Sequence, residues 1–233
     1  MLALVDSDIL TYRIGFTTQD VDEGIMQALL RESVNLILSS TSATSYKMYL
    51  TADNDPTAFR RQVYPEYKAH RVAPRPKYYN EIRQYLVDQY DAEIVSGIEA
   101  DDALGIHQTE LLMQAQTSTI VSIDKDLKQI AGHHFNFVKS EATYVTAEEA
   151  LLYFYTQLLT GDAADNIKGV WKCGPVKAAQ ILAGHYTEAA MFKAVREAYG
   201  NDEELLLNGR CLWIFKKPDD DWKLHYERLI GTN

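Results

Sequence analysis

Between residue 2 and about residue 145 the sequence alternates short apolar runs with longer stretches of helical periodicity, and few architectures accept that order. LALVD reads as a buried strand ending at Asp6, with Asp8 just beyond it. From Asp20 to Ser39, the residues Ile25, Leu29, Leu30, Val34, Ile37 and Leu38 recur at helical spacing. YKMYLTAD is a second strand closing on Asp53, followed by a helix near Tyr78 to Gln89 and the strand AEIVS. Glu99-Ala100-Asp101-Asp102 opens a helix that reaches about Gln116. Acids suit a helix's first turn, but three in four positions exceed what the helix dipole requires. STIVSI runs into Asp124 and Asp126, and a short helix DLKQI and two further strands, HFNFV and TYV, come next. The expectation is an α/β fold: a mainly parallel central sheet flanked by helices, with ligands bound beyond the carboxyl ends of the strands.

After residue 145 the pattern is helical only. Thr146 and Glu149 form a capping box ahead of EEALLYFYTQLL, and Thr187 to Tyr199 and Asp202 to Phe215 read as helices ended by Gly200 and Pro218. Between them lies LLTGDAADNIKGVWKCGPVKAAQIL, residues 158 to 182. Asp162 and Asp165 are three apart and can face the same way. Gly169 and Gly174 then precede Pro175 at a helix start with Lys177 in its first turn, where free N–H groups beside a cation can hold a phosphate. Gly, Asp and Asn also fill ordinary surface turns, so other acids must decide between the two readings. Asp6, Asp53, Glu99, Asp101, Asp102, Asp124 and Asp126 all fall at or just after expected strand ends, and topology would gather them.

So many carboxylates cannot stay ionised in one cleft without cations, because like charges raise each other's pKa. Hard divalent ions with oxygen ligands resolve this, and Mg²⁺ takes a few carboxylates plus water and substrate phosphate. The formal net charge of −10 at first argues against a nucleic-acid partner, yet without these nine acids it is −1. The segment 59–83 is locally basic: Arg60, Arg61, Lys68, Arg71, Arg75, Lys77 and Arg83 face only Glu66 and Glu81, with Tyr64, Tyr67, Tyr78 and Tyr79 interleaved. That composition suits a groove tracking a nucleic-acid backbone, and equally a solvated basic loop. No apolar run approaches a membrane span, and an acid at position six is at odds with a secretory signal. Cys173 and Cys211 lack disulfide-framework or zinc-knuckle spacing, so a reducing, cytoplasmic setting is expected.

Six pieces, in order, carry a resemblance: LVDSD, TADNDPTAFR, YPEYKAHR, IEADDALG, SIDKDLKQI and GDAADNIKGVWKCGPVKAAQIL. They resemble the 5′ nuclease superfamily of flap endonucleases and 5′→3′ exonucleases, most closely its short, free-standing bacteriophage-encoded members. The resemblance implies a PIN-like nuclease core over residues 1–145, with a basic arch segment near 59–83, and a helical part over 146–233. The latter would contain a helix-three-turn-helix DNA grip near 151–184. It further implies a two-metal phosphodiesterase using Mg²⁺, with Mn²⁺ as a substitute. Asp6, Asp53, Glu99 and Asp101 would lie nearer one ion, Asp124, Asp126, Asp162 and Asp165 nearer the other, with Asp102 in the same acidic set and several carboxylates acting through water. Asp6 and Asp124 would be central to catalysis, with Lys68 and Arg71 at the foot of the arch stabilising charge on the scissile phosphate. Tyr12 would stack the terminal base. Arg60, Arg75 and Lys77, with Gly169, Lys172, Gly174 and Lys177 at the turn, would contact DNA.

The implied substrates are DNA with 5′ ends, duplex or flapped, and RNA–DNA hybrids, acted on by a monomer without a membrane. The family also often holds K⁺ on turn carbonyls, but here Trp171 and Lys172 replace two backbone-permissive positions of the usual turn, and His70 stands where Asn is common. Two rivals remain: an aspartate-nucleophile phosphatase, suggested by the Asp6-x-Asp8 pair, and a noncatalytic DNA-junction binder. His107, His133 and His134 read as ordinary histidines, Trp213 and Trp222 as packing, and KKPDDDWK as a solvated turn.

Overall fold

A computed structural model describes residues 1–71 and 73–231. The elements are β1 (Leu2–Asp6), α1 (Ser7–Thr17), α2 (Glu23–Ser40), β2 (Ser45–Thr51), α3 (Phe59–Val63), α4 (Tyr79–Tyr90), β3 (Glu93–Val95), α5 (Ala100–Met113), β4 (Ser118–Val121), β5 (Gly132–Asn136) and β6 (Glu141–Val145). There follow α6 (Ala147–Thr160), β7 (Gly161–Asp162), β8 (Ile167–Lys168), α7 (Pro175–Leu182), α8 (Glu188–Tyr199), α9 (Asp202–Leu212) and α10 (Trp222–Gly231), with short 3₁₀ turns at Asp126–Gln129 and Ala163–Asp165.

Among the described residues the main sheet runs β3-β2-β1-β4-β5-β6, parallel except for β6, which pairs antiparallel with β5. The order reverses between β1 and β4, and a crevice at that switch point is where an open α/β sheet offers a ligand site. Both faces are covered, as parallel strands require. On one, Ala3 and Val5 pack with Leu10, Leu30, Val34, Ile82 and Leu86 from α1, α2 and α4. On the other, Leu4 packs with Leu104 and Leu111 of α5 and with Ile214 from beyond α9. A third apolar cluster fills the helical part, around Phe154, Phe192, Trp213 and Trp222. The Thr146 capping box is present, with Glu149 N–H donating to Thr146 Oγ1 at 3.1 Å.

Three local expectations need correction. Helix α2 buries the stripe Met26, Leu30, Val34 and Ile37 and leaves Ile25 and Leu29 to solvent, because two apolar stripes adjoin and only one faces the sheet. Helices α1 and α10 were not anticipated; α1 lacks a clean apolar stripe, burying Ser7 and Thr11, with the Thr11 hydroxyl donating to the Ser7 carbonyl. KKPDDDWK is no solvated turn: buried Asp220 accepts from Trp213 Nε1 at 2.9 Å and from the Lys216 N–H at 2.9 Å, and Asp221 pairs with Arg210.

Candidate active site

Asp6 is the last residue of β1 and the cap of α1, accepting from the Ile9 N–H at 3.1 Å. Its other oxygen accepts from Ser122 Oγ at 2.7 Å, and Ser122 Oγ in turn accepts from the Asp124 N–H at 2.9 Å. One hydroxyl just past β4 therefore fixes two acids, one ending β1 and one in the loop after β4. Asp124 Oδ1 accepts from the Asp126 N–H at 2.8 Å, and Asp126 accepts from Gln157 Nε2 of α6 at 2.7 Å. Asp162 ends β7 and caps the next turn, and Lys125 Nζ lies 3.4 Å from it. Asp101 enters from the first turn of α5. These acids, with Asp53, Glu99 and Asp165, line one cleft of about 580 Å³ at the carboxyl ends of the strands.

Its electrostatics divide into two groups joined by Asp124. Burial, then Asp8 and Asp124, push the Asp6 carboxyl up to about 7. Burial, then Asp6, Asp124 and Glu99, raise Asp101 well above the carboxylate range. Asp126 rises to about 7 through burial and the nearby charges of Asp124 and Asp162. Glu99 behaves oppositely: burial would raise it, but Lys68 and Arg60 outweigh that and hold it down at about 2.

The basic segment meets the acids directly. Lys68 Nζ sits 2.6 Å from Glu99 and 3.8 Å from Asp165, Arg71 pairs with Asp165, and Arg75 pairs with Asp53 at 2.7 Å. Lys68 has a left-handed backbone, φ 56, which a non-glycine residue adopts only when its surroundings impose it. Its N–H donates to the Asp165 carbonyl at 3.1 Å, tying the basic segment to the β7–β8 hairpin. Tyr12 lies at the mouth, 40% exposed, its ring 5.4 Å from that of Tyr79.

Two assigned residues are not where the sequence reading puts them. Asp102 is fully buried away from the cleft, and its carboxylate accepts from Arg60, the Glu99 N–H and the Phe215 N–H. It has no lone pair to spare for a metal. Arg60, expected on DNA, is buried too: it grips Asp102 through both Nη atoms and donates to the Cys211 and Trp213 carbonyls at 2.8 and 2.7 Å. This pair fastens α3 and α5 to the end of α9. Gly169 also has a packing reason, since a Cβ there would meet Gly161 N at 2.3 Å and Leu159 O at 2.4 Å. Lys77 is exposed over Tyr78, while Lys172, Gly174 and Lys177 stand outside the cleft, at the turn leading into α7.

Sequence reasoning passed over Ser122, Gln157, Lys125 and the bridging role of Tyr67. Tyr67 OH lies 2.9 Å from Glu99 and 2.8 Å from Asp165, and its only advance signal is its place before Lys68. Asp8 is tied to Arg83 at 2.9 Å and to the Thr51 N–H at 3.0 Å, so the second acid a phosphatase would use is already engaged.

Among the described residues no three His, Cys, Asp or Glu side chains converge into a ready-made cage. Crowded, buried carboxylates that hold each other's pKa up are what hard divalent ions relieve, and Mg²⁺ needs only one or two direct carboxylates with water completing its shell. The residues fit that mode of binding.

The family model for the 5′-3′ exonuclease, N-terminal resolvase-like domain, matches residues 1–155. A 5′-3′ exonuclease of Buchnera aphidicola subsp. Schizaphis graminum is 26% identical over 223 residues, covering 88% of this chain and 75% of its own. Flap endonuclease Xni of Aeromonas hydrophila is 30% identical over 194 residues, covering 73% and 70%. The chain also matches DNA polymerase I of Borreliella burgdorferi at 27% identity but spans only 20% of that protein. Among solved structures, T5 5′-exonuclease with bound zinc ions superposes with a TM-score of 0.72 at 17% identity, covering 98% of this chain and 93% of that one. A complex of T5 flap endonuclease with DNA and metal ions gives 0.69 at 17% identity, covering 99% and 98%.

Proposed function

The chain belongs to the family of 5′-3′ exonucleases with an N-terminal resolvase-like domain, and from that premise we propose that it is a metal-dependent 5′ nuclease. It hydrolyses phosphodiester bonds of DNA at or near 5′ ends, on duplex or flapped substrates, acting as a monomer with Mg²⁺, for which Mn²⁺ can substitute. RNA–DNA hybrids belong to the same proposal. The observation that carries it is the cleft in which carboxylates from β1, the loop after β4, α5 and the β7–β8 hairpin meet the cations of the basic segment.

Asp6, Glu99 and Asp101 would lie nearer one ion and Asp126, Asp162 and Asp165 nearer the other, with Asp124 between them and Asp53 at the rim; one or two carboxylates would touch each ion and the rest would act through water. Ions held there would supply a lowered pKa for the attacking water and positive charge against the attacking and leaving oxygens. Lys68 and Arg71 hold positive charge over the acids, at the place where a reacting phosphate must sit. Ser122 fixes Asp6 against Asp124, and Gln157 orients Asp126. The open ring of Tyr12 offers a face to a terminal base. Residues 1–145 carry most of the chemistry, and 146–233 add Gln157, Asp162 and Asp165 to the cleft and the duplex grip through Lys172, Lys177 and the free N-terminus of α7 at Gly174. K⁺ on carbonyls of that turn belongs to the same proposal, and Lys172 there adds fixed positive charge that works against it.

Two results are expected. Calorimetric titration of Mg²⁺ into protein freed of metal by a chelator should show binding, and cleavage should vanish with chelator and return with Mg²⁺; full activity in excess chelator would contradict the proposal. Lys68→Ala and Arg71→Ala should each lower the single-turnover rate at saturating DNA by roughly 10²- to 10³-fold while weakening binding far less, as expected for groups that act in the transition state. A loss confined to affinity would make them ordinary backbone contacts.

A further inference from the structure

Gln129 closes the 3₁₀ turn that Asp126 opens, and its side chain is fully buried. Side chains three apart eclipse in such a turn, and the hydrogen-bonded link between these two runs through Gln157 of α6. The backbone after α9 decides which way round the Gln129 amide lies. The Ile214 N–H can only donate, so the atom 3.2 Å from it is Oε1; the Leu212 carbonyl can only accept, so the atom 2.7 Å from it is Nε2. Gln129 Nε2 also donates to Gln157 Oε1 at 2.8 Å, which turns Gln157 Nε2 toward Asp126 Oδ1 at 2.7 Å. Reversing either amide would set donor against donor and oxygen against oxygen, and both side chains are buried, so the conflict would go unrelieved. Among the described residues, every contact of the Asp126 carboxylate falls on Oδ1, which leaves Oδ2 to the cleft that Asp126 lines.

We propose that Gln129 is a positioning residue for the metal centre: acting through Gln157, it makes that side chain a donor to Asp126 Oδ1 and so keeps Asp126 Oδ2 directed at the cleft. Groups that orient a metal-binding carboxylate in this way typically change metal affinity 10- to 100-fold when removed. The arrangement also makes the segment after α9 part of the centre's support. Leu212 and Ile214 set the Gln129 amide, while backbone groups of Cys211, Trp213 and Phe215 hold Arg60 and Asp102. One short segment thus braces the turn after β4 with alternate residues and the α3–α5 pair with the residues between. This inference rests on the metal-dependent reading above, and it goes beyond it in assigning Gln129 and the 211–215 backbone to the site.

The test is calorimetric titration of Mg²⁺ into the full-length protein without DNA, alongside thermal unfolding. Gln157→Leu should weaken Mg²⁺ binding roughly 10- to 100-fold, and Gln129→Met should fall in the same range. The double variant should bind no more weakly than Gln157→Leu alone, because Gln129 acts only through Gln157 and the two effects should not multiply. Gln129→Asn keeps an amide for the Leu212 and Ile214 backbone but is one methylene too short to hold Gln157 as well. It should lose Mg²⁺ affinity while costing less stability than Gln129→Met, and it decides the matter alone if Gln129→Met does not fold. Mg²⁺ affinity within about twofold of the unaltered protein in either Gln129 variant, or single effects that multiply in the double variant, overturns the inference and leaves the nuclease reading intact. Absence of Mg²⁺ binding by the unaltered protein removes both.

Discussion

Asp124→Asn is expected to lower DNA cleavage by at least about 10³-fold while duplex binding in Ca²⁺ stays within about twofold of wild type. Asp124 is the acid shared by the two halves of the cleft, raising the pKa of Asp6 and Asp101 on one side and of Asp126 on the other. The substitution preserves local structure: the amide oxygen can still accept the Asp126 N–H that Asp124 Oδ1 accepts at 2.8 Å. What it removes is negative charge, the property that holds a cation. Loss of several kcal/mol of metal-derived stabilisation corresponds to three or more decades in rate. Single-turnover cleavage in Mg²⁺, paired with anisotropy in Ca²⁺, reads both quantities. Near-normal turnover would remove Asp124 from the centre of the site.

Asp102→Ala is expected to be the most damaging single change to stability, although Asp102 touches no substrate. It would remove the bidentate partner of the buried Arg60 guanidinium, leaving it the 3.3 Å ion pair with Glu99, and orphan the Glu99 and Phe215 N–H groups. Breaking a buried pair by deleting one partner costs about 3–5 kcal/mol, and a chain of this size loses roughly 2–4 °C of Tm per kcal/mol. Thermal unfolding should therefore drop by roughly 6–20 °C. Replacing both partners with apolar residues should recover much of the loss, since no uncompensated charge remains. A Tm within 2 °C of wild type for Asp102→Ala, on the same roughly 2–4 °C scale, would contradict this assignment and reopen Asp102 as a cleft residue.

Asp102 also shows where reading a sequence stops. The strand–helix alternation, the parallel sheet and the acids at strand ends were all legible, because each rests on local periodicity or on position relative to an apolar run. Asp101 and Asp102 are adjacent acids in one first turn, and a helix turns about 100° per residue. One points into the cleft and the other into the core, which spacing alone could not say. Arg60 failed for the same reason: its charge was counted with a basic segment, while its partner lies 42 residues away. Ser122 and Gln157 carry no charge to draw notice, and their roles exist only once β1, β4 and α6 are brought together. Helix α1 escaped because its buried face includes Ser7 and Thr11, satisfied by backbone bonds rather than by apolar packing.

Digestion of duplexes labelled at either the 5′ or the 3′ end, with and without a 5′ flap, sampled early in Mg²⁺, tests the central claim most directly. A 5′ nuclease releases mononucleotides, short oligonucleotides or the intact flap from the 5′-labelled strand, while the 3′-labelled strand shortens progressively from its far end. Products that begin at the 3′ end, or hydrolysis of a small phosphate ester in preference to any DNA, would contradict the account.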